Sequence, residues 1–273
     1  YLSIDETCLS HGELYTIVTN KQARGKRGTI VAILSGTKSE HIIPVLQQIS
    51  VRLRKKVEEI TLDLAGNMAL ISRKCFPNAV QVIDRFHVQQ LASEALQEIR
   101  IKHRWKAIDN ENQAIEVARK NKEVYLPQVL SNSDTLKQLL ARSRYLLYKS
   151  EHKWCSEQKQ RAAILFEMYP DIEKAYRLSQ ELSWIYNTSI DKISAFTRLA
   201  RWADKVEQAG FKSFNTISKT INIHHKKILN YFDNRSTNAS AESFNAKIKA
   251  FRSQFRGVKD INFFLFRLTK LFA

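Results

Sequence analysis

The sequence predicts an α/β fold, a mixed five-stranded sheet interrupted by a large all-helical block. Three observations predict it. Short β-branched or aromatic runs recur through the first 87 residues. From 88 to 235 such runs almost vanish, and helical periodicity proceeds with only Pro127, Pro170 and Gly210 to punctuate it. From 236 to 273 two helical patterns close the chain.

The runs 1–6 (YLSIDE), 14–19 (LYTIVT) and 29–34 (TIVAIL) are separated by segments carrying Gly12, Gly25 and Gly28, and read as three consecutive antiparallel strands. Ser39 then caps a helix whose apolar positions Ile42, Ile43, Leu46, Ile49 and Leu53 recur at helical spacing. A fourth strand, 59–64 (EITLDL), follows a crossover long enough for parallel pairing. A short helix from Gly66 stops at Phe76-Pro77, and a fifth strand spans 79–83 (AVQVI). Hairpins extend one side of this sheet and right-handed crossovers the other, which leaves the first strand central. Helices are expected at 88–105, 110–124, 132–149, 151–168, 171–186 and 188–209. Two more, 239–255 and 260–272, are parted by Gly257, and the face Ile261, Phe264, Leu265, Leu268 and Leu271 suits packing on the sheet. The organisation expected is thus 1–87, an insertion at 88–235, and a return at 236–273.

At 273 residues, 44% hydrophobic and 26% charged, the chain can bury a sizeable core and is no disordered tail. No apolar run approaches the ~20 residues that span a bilayer, and no signal peptide opens the chain, so no membrane partner is expected. The chain begins at Tyr1, already in strand-like sequence and without an initiator Met, so an N-terminal portion is expected to be missing. Cys8, Cys75 and Cys155 stand far apart without ligand spacing, which points to a reducing compartment and no structural zinc in this stretch. The 44 Lys+Arg against 27 Asp+Glu leave a net charge of +17. That excess favours a polyanionic partner, nucleic acid first, although basic balance alone also fits ribosomal and chromatin proteins.

Three acids stand out by position. Asp5 ends the central strand, Asp63 ends its expected neighbour, and Glu242 lies in the first turns of the returning helix. Ligands bind outside the carboxyl ends of central strands in open sheets, so the two aspartates can converge there. Two aspartates and a glutamate make a hard oxygen site for Mg²⁺ or Mn²⁺, and two such ions about 3.5–4 Å apart support in-line attack on a phosphodiester. Each acid also has a plainer reading: a strand-ending Asp is commonly a turn or cap residue, and a first-turn Glu is favoured by the helix dipole. Asp84 can likewise cap the helix that follows the fifth strand, with His87 in its first turn.

Taken in order, Ile4-Asp5-Glu6, Thr61-Leu62-Asp63, Phe76-Pro77-Asn78-Ala79, Asp84-Arg85-Phe86-His87 and the stretch NASAESFNAKIK at 238–249, preceded by YFDNR at 231–235, form a pattern. It resembles the catalytic region of DDE transposases of bacterial insertion sequences, in the ISL-three family, over residues 1–273. The resemblance implies a ribonuclease-H-like fold with a helical insertion before the glutamate helix. It implies Asp5, Asp63 and Glu242 as the catalytic, metal-binding triad, with Asp5 touching both of two Mg²⁺ or Mn²⁺ ions and the others holding one each. Asp84 and His87 match a D-x-x-H signature of related transposases and would position DNA. It further implies cleavage at transposon ends, strand transfer into target DNA, a homo-oligomer in the synaptic complex, and a cytoplasmic, nucleoid-associated bacterial protein. Ser243 stands where the family usually has Gly, and the family's N-terminal zinc-binding and helix-turn-helix region is not in this stretch.

Residues 1–87, 88–235 and 236–273 carry net charges of +4, +8 and +5, so the last is densest. There Lys249, Arg252 and Arg256 fall at i, i+3 and i+7 and form a stripe expected to hold the DNA backbone. The loop 21–27 (KQARGKR) is a second candidate clamp, or a solubilising hairpin tip. Trp105, Trp154, Trp184 and Trp202 fit helical cores, with base stacking open to one of them. His224-His225 has no Cys partner and is not expected to bind metal. Two other functions stay open: a ribonuclease-H-like nuclease or resolvase that never joins strands, and a non-catalytic DNA-binding derivative of a transposase.

Overall fold

The computed structural model describes residues 1–8, 14–255 and 260–273. The expected turn at Gly12, the break at Gly257 and the stripe residue Arg256 lie outside the described residues. Among the described residues no helix is long and apolar enough to cross a membrane.

In chain order the elements are β1 (Leu2–Cys8), β2 (Leu14–Asn20), β3 (Ile30–Ser35), α1 (Ser39–Gln47), α2 (Val51–Arg54), β4 (Glu59–Leu62), α3 (Gly66–Cys75), β5 (Val80–Ile83), α4 (Arg85–Lys120), α5 (Leu136–Arg142), α6 (Ser156–Met168), α7 (Pro170–Thr188), α8 (Lys192–Ala209), α9 (Lys212–Ile223), α10 (His225–Leu229), α11 (Tyr231–Asn234), α12 (Ala239–Gln254) and α13 (Ile261–Phe272). They form two compact units, one of residues 1–88, 190–192 and 224–273, the other of 89–189 and 193–223. Residues 224–235 pack with the sheet, where Asn230 Nδ2 donates to the Gln81 carbonyl at 2.9 Å and Asn234 Nδ2 to Glu59 Oε2 at 3.1 Å.

The sheet order is β3-β2-β1-β4-β5. β1–β2 and β2–β3 pair antiparallel, and β1–β4 and β4–β5 pair parallel. This is the mixed α/β, ribonuclease-H-like sheet with β1 in the middle. Strand alternation separates its faces. Leu2, Ile4, Ile60, Leu62 and Ile83 are buried on one face, where Gln81 Nε2 donates to the Ala69 carbonyl of α3. The opposite face carries Ile17, Ile30 and Ile33, which pack against Phe244 and Ile248 of α12 and Phe264 and Leu268 of α13. Of the apolar face expected on α13, Phe264, Leu265 and Leu268 thus cover the sheet, whereas Leu271 is exposed. All four residues of β4 are buried, as suits a strand covered on both faces.

Several helix boundaries differ from expectation. Ser39 is the first residue of α1, not its cap, and the helix stops at Gln47, so Ile49 lies between α1 and α2 and Leu53 in α2. The separate helices expected at 88–105 and 110–124 are one continuous α4, because nothing in Lys106-Ala107-Ile108-Asp109 breaks a helix. The helix expected at 132–149 shrinks to α5, opened by a Thr135–Gln138 capping box, followed by a single turn at Leu146–Tyr148. In this second unit Asp134 is fully buried yet ion-paired to Arg142 and Arg161, and Trp202 is buried with its Nε1 donating to the Leu178 carbonyl at 2.9 Å.

Phe264 is fully buried in the α12–α13–sheet core, whereas Phe266 on the same helix is 55% exposed. Phe264→Ala should therefore cost about 3–5 kcal/mol, and Phe266→Ala should stay within about 0.5 kcal/mol of the parent. Urea unfolding followed by a probe in the sheet unit would read both.

Candidate active site

The parallel ladder fixes where the acids stand. Ser3 pairs with Thr61, and Thr61 with Val82. Two residues further on come Asp5, in the middle of β1 and not at its expected end, and Asp63 and Asp84, just past the ends of β4 and β5, on one face where the alternation of period two carries on. The Asp84 amide donates to the Leu62 carbonyl at 3.0 Å, so the β4–β5 pairing carries on into this row. Three aspartates on three adjacent strands therefore line up at one end of the parallel ladder, on the face that α12 covers.

Local backbone holds each of them. Asp5 Oδ1 accepts from the Glu6 amide at 2.9 Å, Asp63 Oδ1 from the Ala65 amide at 2.7 Å, and Asp84 Oδ1 from the Phe86 amide at 3.3 Å. The turn role expected of Asp63 and the capping role expected of Asp84 are real, and each occupies one oxygen only. Neither Asp63 Oδ2 nor Asp84 Oδ2 has a protein hydrogen bond among the described residues.

Helix α12 delivers the fourth acid. Its start is tied to β1, where Ser3 Oγ donates to Asn238 Oδ1, and Glu242 sits in its exposed first turn. One turn on, Asn245 Nδ2 donates to Asp5 Oδ2 at 2.7 Å. Asn245 is 9% exposed, and its Oδ1 is buried without a partner among the described residues. Sequence reasoning assigned Asn245 no role. The available signal was a polar residue on the buried stripe Ala241, Phe244, Ile248 of an amphipathic helix.

The charges report the crowding. Burial pushes the Asp5 carboxyl above its ordinary range, and the charge of Asp63 adds to this; the Glu6 amide, the charge of His87 and the Asn245 amide act the other way. Glu242 is raised by burial, then by Asp84 and Asp5, with His87 opposing. Glu6 is raised by burial and by Asp63 and Asp5, against a hydrogen bond from Asn67. Asp5, Asp63, Asp84, Glu242 and His87 thus form one electrostatic neighbourhood.

A family model described as Transposase, of the ISL3 type, matches residues 2–268. The chain belongs to this family. No curated protein and no solved structure matches. As a transposase the chain has DNA for its partner, which gives the excess of basic residues a purpose.

The donor set of this transposase fits a divalent cation. Uncapped aspartate oxygens, an exposed glutamate and an unpartnered amide oxygen are hard ligands, and a cation would offset the mutual repulsion of the carboxylates. Among the described residues no three His, Cys, Asp or Glu side chains already stand in a metal-holding arrangement. The acids are electrostatic neighbours but do not stand as a preformed metal site.

The expected basic stripe divides. Lys249 is exposed two turns beyond Glu242 on nearly the same helical face. Arg252 instead lays its guanidinium over the Phe264 ring, 5.1 Å from the centroid, and serves packing. In the loop 21–27, Lys21 turns inward to pair with Glu59 at 3.4 Å and to bond Thr61 Oγ1, so it cannot clamp DNA. Lys247 of α12 reaches the Gly25 carbonyl at 3.3 Å. Of the tryptophans, Trp154 and Trp202 are core, Trp184 is exposed beneath Arg198 at 4.6 Å, and Trp105 is 61% exposed.

Asn245→Ala removes a donor to the charged form of Asp5, so the Asp5 carboxyl should titrate at higher pH than in the parent. Carboxyl carbon NMR of both proteins checks this, and an unchanged titration would mean that the amide does not hold the acid in solution.

Proposed function

We propose that this transposase cuts DNA at transposon ends by divalent-metal-dependent hydrolysis and joins the ends to target DNA at the same site. The observation that carries the reading is the row Asp5–Asp63–Asp84 facing a helix that brings Glu242, with Asn245 bonded to Asp5. Asp5, Asp63 and Glu242 would hold two Mg²⁺ or Mn²⁺ ions, which when bound lower the pKa of water and stabilise the developing charge on the leaving oxygen. The chain's own contribution is positional. The Glu6 amide and Asn245 fix both oxygens of Asp5, and the Ala65 amide aims Asp63.

In the first step a water oxygen bonds to phosphorus and the P–O3′ bond breaks, leaving a 3′-hydroxyl and a 5′-phosphate. In the second that 3′-hydroxyl attacks a target phosphodiester, a new 3′–5′ bond forms, and the displaced 3′-oxygen takes a proton. Asp84 and His87 adjoin the triad and would position the strand, with Lys249 holding backbone phosphate further along α12.

Asp5→Ala should lower cleavage by about 10²–10³-fold, the scale seen when a charge-stabilising group is lost from an active site, with DNA binding retained. Unimpaired cleavage by that variant in Mg²⁺ would remove Asp5 from the triad. Pre-cut ends test the joining step separately; hydrolysis without strand transfer would make the protein a nuclease.

The acid limb has a definite sign. Asp5 and Glu242 are raised above their unfolded values, so their ionised forms burden the fold at neutral pH and their protonation relieves it. As pH falls through the raised values, above the ordinary ~3.9–4.3, cleavage should fall while this contribution to stability rises. A pH series of cleavage rate and thermal midpoint reads both.

Lys249→Ala should reduce the log–log salt slope of DNA binding by about 0.9, one phosphate contact. Arg252→Ala should leave the slope alone and cost about 0.5–2 kcal/mol of stability, the worth of its seat on Phe264. Fluorescence anisotropy across a salt series separates the two.

A further inference from the structure

Beside the end of β4 lies a cavity of about 190 Å³. One wall is the turn from Asp63 into α3; the other carries Arg73 of α3 and, from the start of α10, His224 and Lys227. His224 and Lys227 are half-buried, and Arg73 stands exposed at the rim. None of these three pairs with a carboxylate among the described residues. Burial holds the His224 imidazole below its ordinary range, and the charge of Lys227 adds to this. Lys227 is lowered in the same way by burial and by Arg73. Two cations, of which Lys227 is half-buried, and an imidazole have been gathered without an ion pair among the described residues, which is costly unless an anion joins them. At roughly 30 Å³ per water, the space accepts one tetrahedral anion with its ester oxygens. Asp63 edges the same cavity, so that anion would have a carboxylate on one side and two cations with the imidazole on the other.

We propose that this cavity is a phosphate pocket, filled by one backbone phosphate of a DNA strand running past Asp63. It rests on the cleavage reading only for why the strand passes Asp63; the chemistry of the pocket does not depend on it. Arg73 supplies a planar fork for two phosphate oxygens, and Lys227 and His224 supply donors from the opposite wall. The pocket would then grip the strand beside the bond to be cut, independently of Lys249 on α12.

The test uses the whole chain in EDTA, where nothing is cleaved, so its outcome is separable from that of the Asp5→Ala experiment. Anisotropy with an uncut duplex oligonucleotide across a salt series should give a slope lower by about 0.9 for Lys227→Gln and for Arg73→Ala than for the parent. Arg73→Lys, which keeps the charge, should restore most of the slope. A second arm titrates inorganic phosphate and follows the His224 ring signals by NMR, in the parent and in Arg73→Ala. Loss of slope supports the proposal whether or not free phosphate binds. An unchanged slope with saturable phosphate binding overturns the DNA assignment and leaves a site for free anion. An unchanged slope with no response to phosphate overturns the pocket altogether. Circular dichroism of each variant confirms that it folds.

Discussion

Carboxylates repel one another, and the repulsion grows as water is withdrawn from between them. β1, β4 and β5 nevertheless bring Asp5, Asp63 and Asp84 into one row, and α12 adds Glu242 above it. The fold tolerates this because backbone amides grip one oxygen of each aspartate, while the Asn245 amide takes the second oxygen of Asp5. Those donors sit on elements placed by apolar burial. Ile17, Phe244, Ile248 and Phe264 set the height of α12 over the sheet, and the buried β4 sets the register of its neighbours. The hydrophobic core thus carries the strain of the charge cluster, and the cluster contributes nothing to holding the core.

Helix α12 has to satisfy two demands with one periodicity. Ala241, Phe244 and Ile248 must face the sheet, while Glu242 and Lys249, two turns apart, must stay outside it. Asn245 lies at the border of these faces, buried like its apolar neighbours but bonded to an acid. Its position at the helix start also helps Glu242, because the positive end of the helix dipole favours an ionised carboxylate where burial and two neighbouring acids oppose it.

Much of this could be read in the sequence, and the unread part has physical causes. The strands were legible because alternation and glycine-bearing turns are local signals, and their order followed from connection rules. The ends of helices were not, since α1 stops at Gln47 and α4 runs through 106–109 for reasons of packing and of missing breakers that periodicity alone weighs poorly. Asp63 and Asp84, just past β4 and β5, were legible from topology; Asp5 was expected to end β1 but lies in its middle, because β1 runs on to Cys8. Asn245 was missed because a single polar residue in an apolar stripe gains its meaning only from Asp5, far away in the chain. Arg252 was read as part of a stripe from helical spacing and Lys21 as part of a candidate clamp or solubilising tip, but neither spacing nor composition can show a lysine folded under onto Glu59 or an arginine seated on Phe264.

The plain and the functional readings of Asp63 and Asp84 turn out to be compatible. A strand-ending aspartate that bonds an amide two residues on is an ordinary turn residue, and both residues do this. Such a bond uses one lone-pair direction of one oxygen and fixes the plane of the carboxyl group. The remaining oxygen is then held in place before any ligand arrives, without a long side chain having to be ordered at that moment. Local turn chemistry at the end of a rigid parallel ladder thus does part of the preorganisation that a catalytic site requires. That is a physical reason for Asp63 and Asp84 to sit just where their strands end.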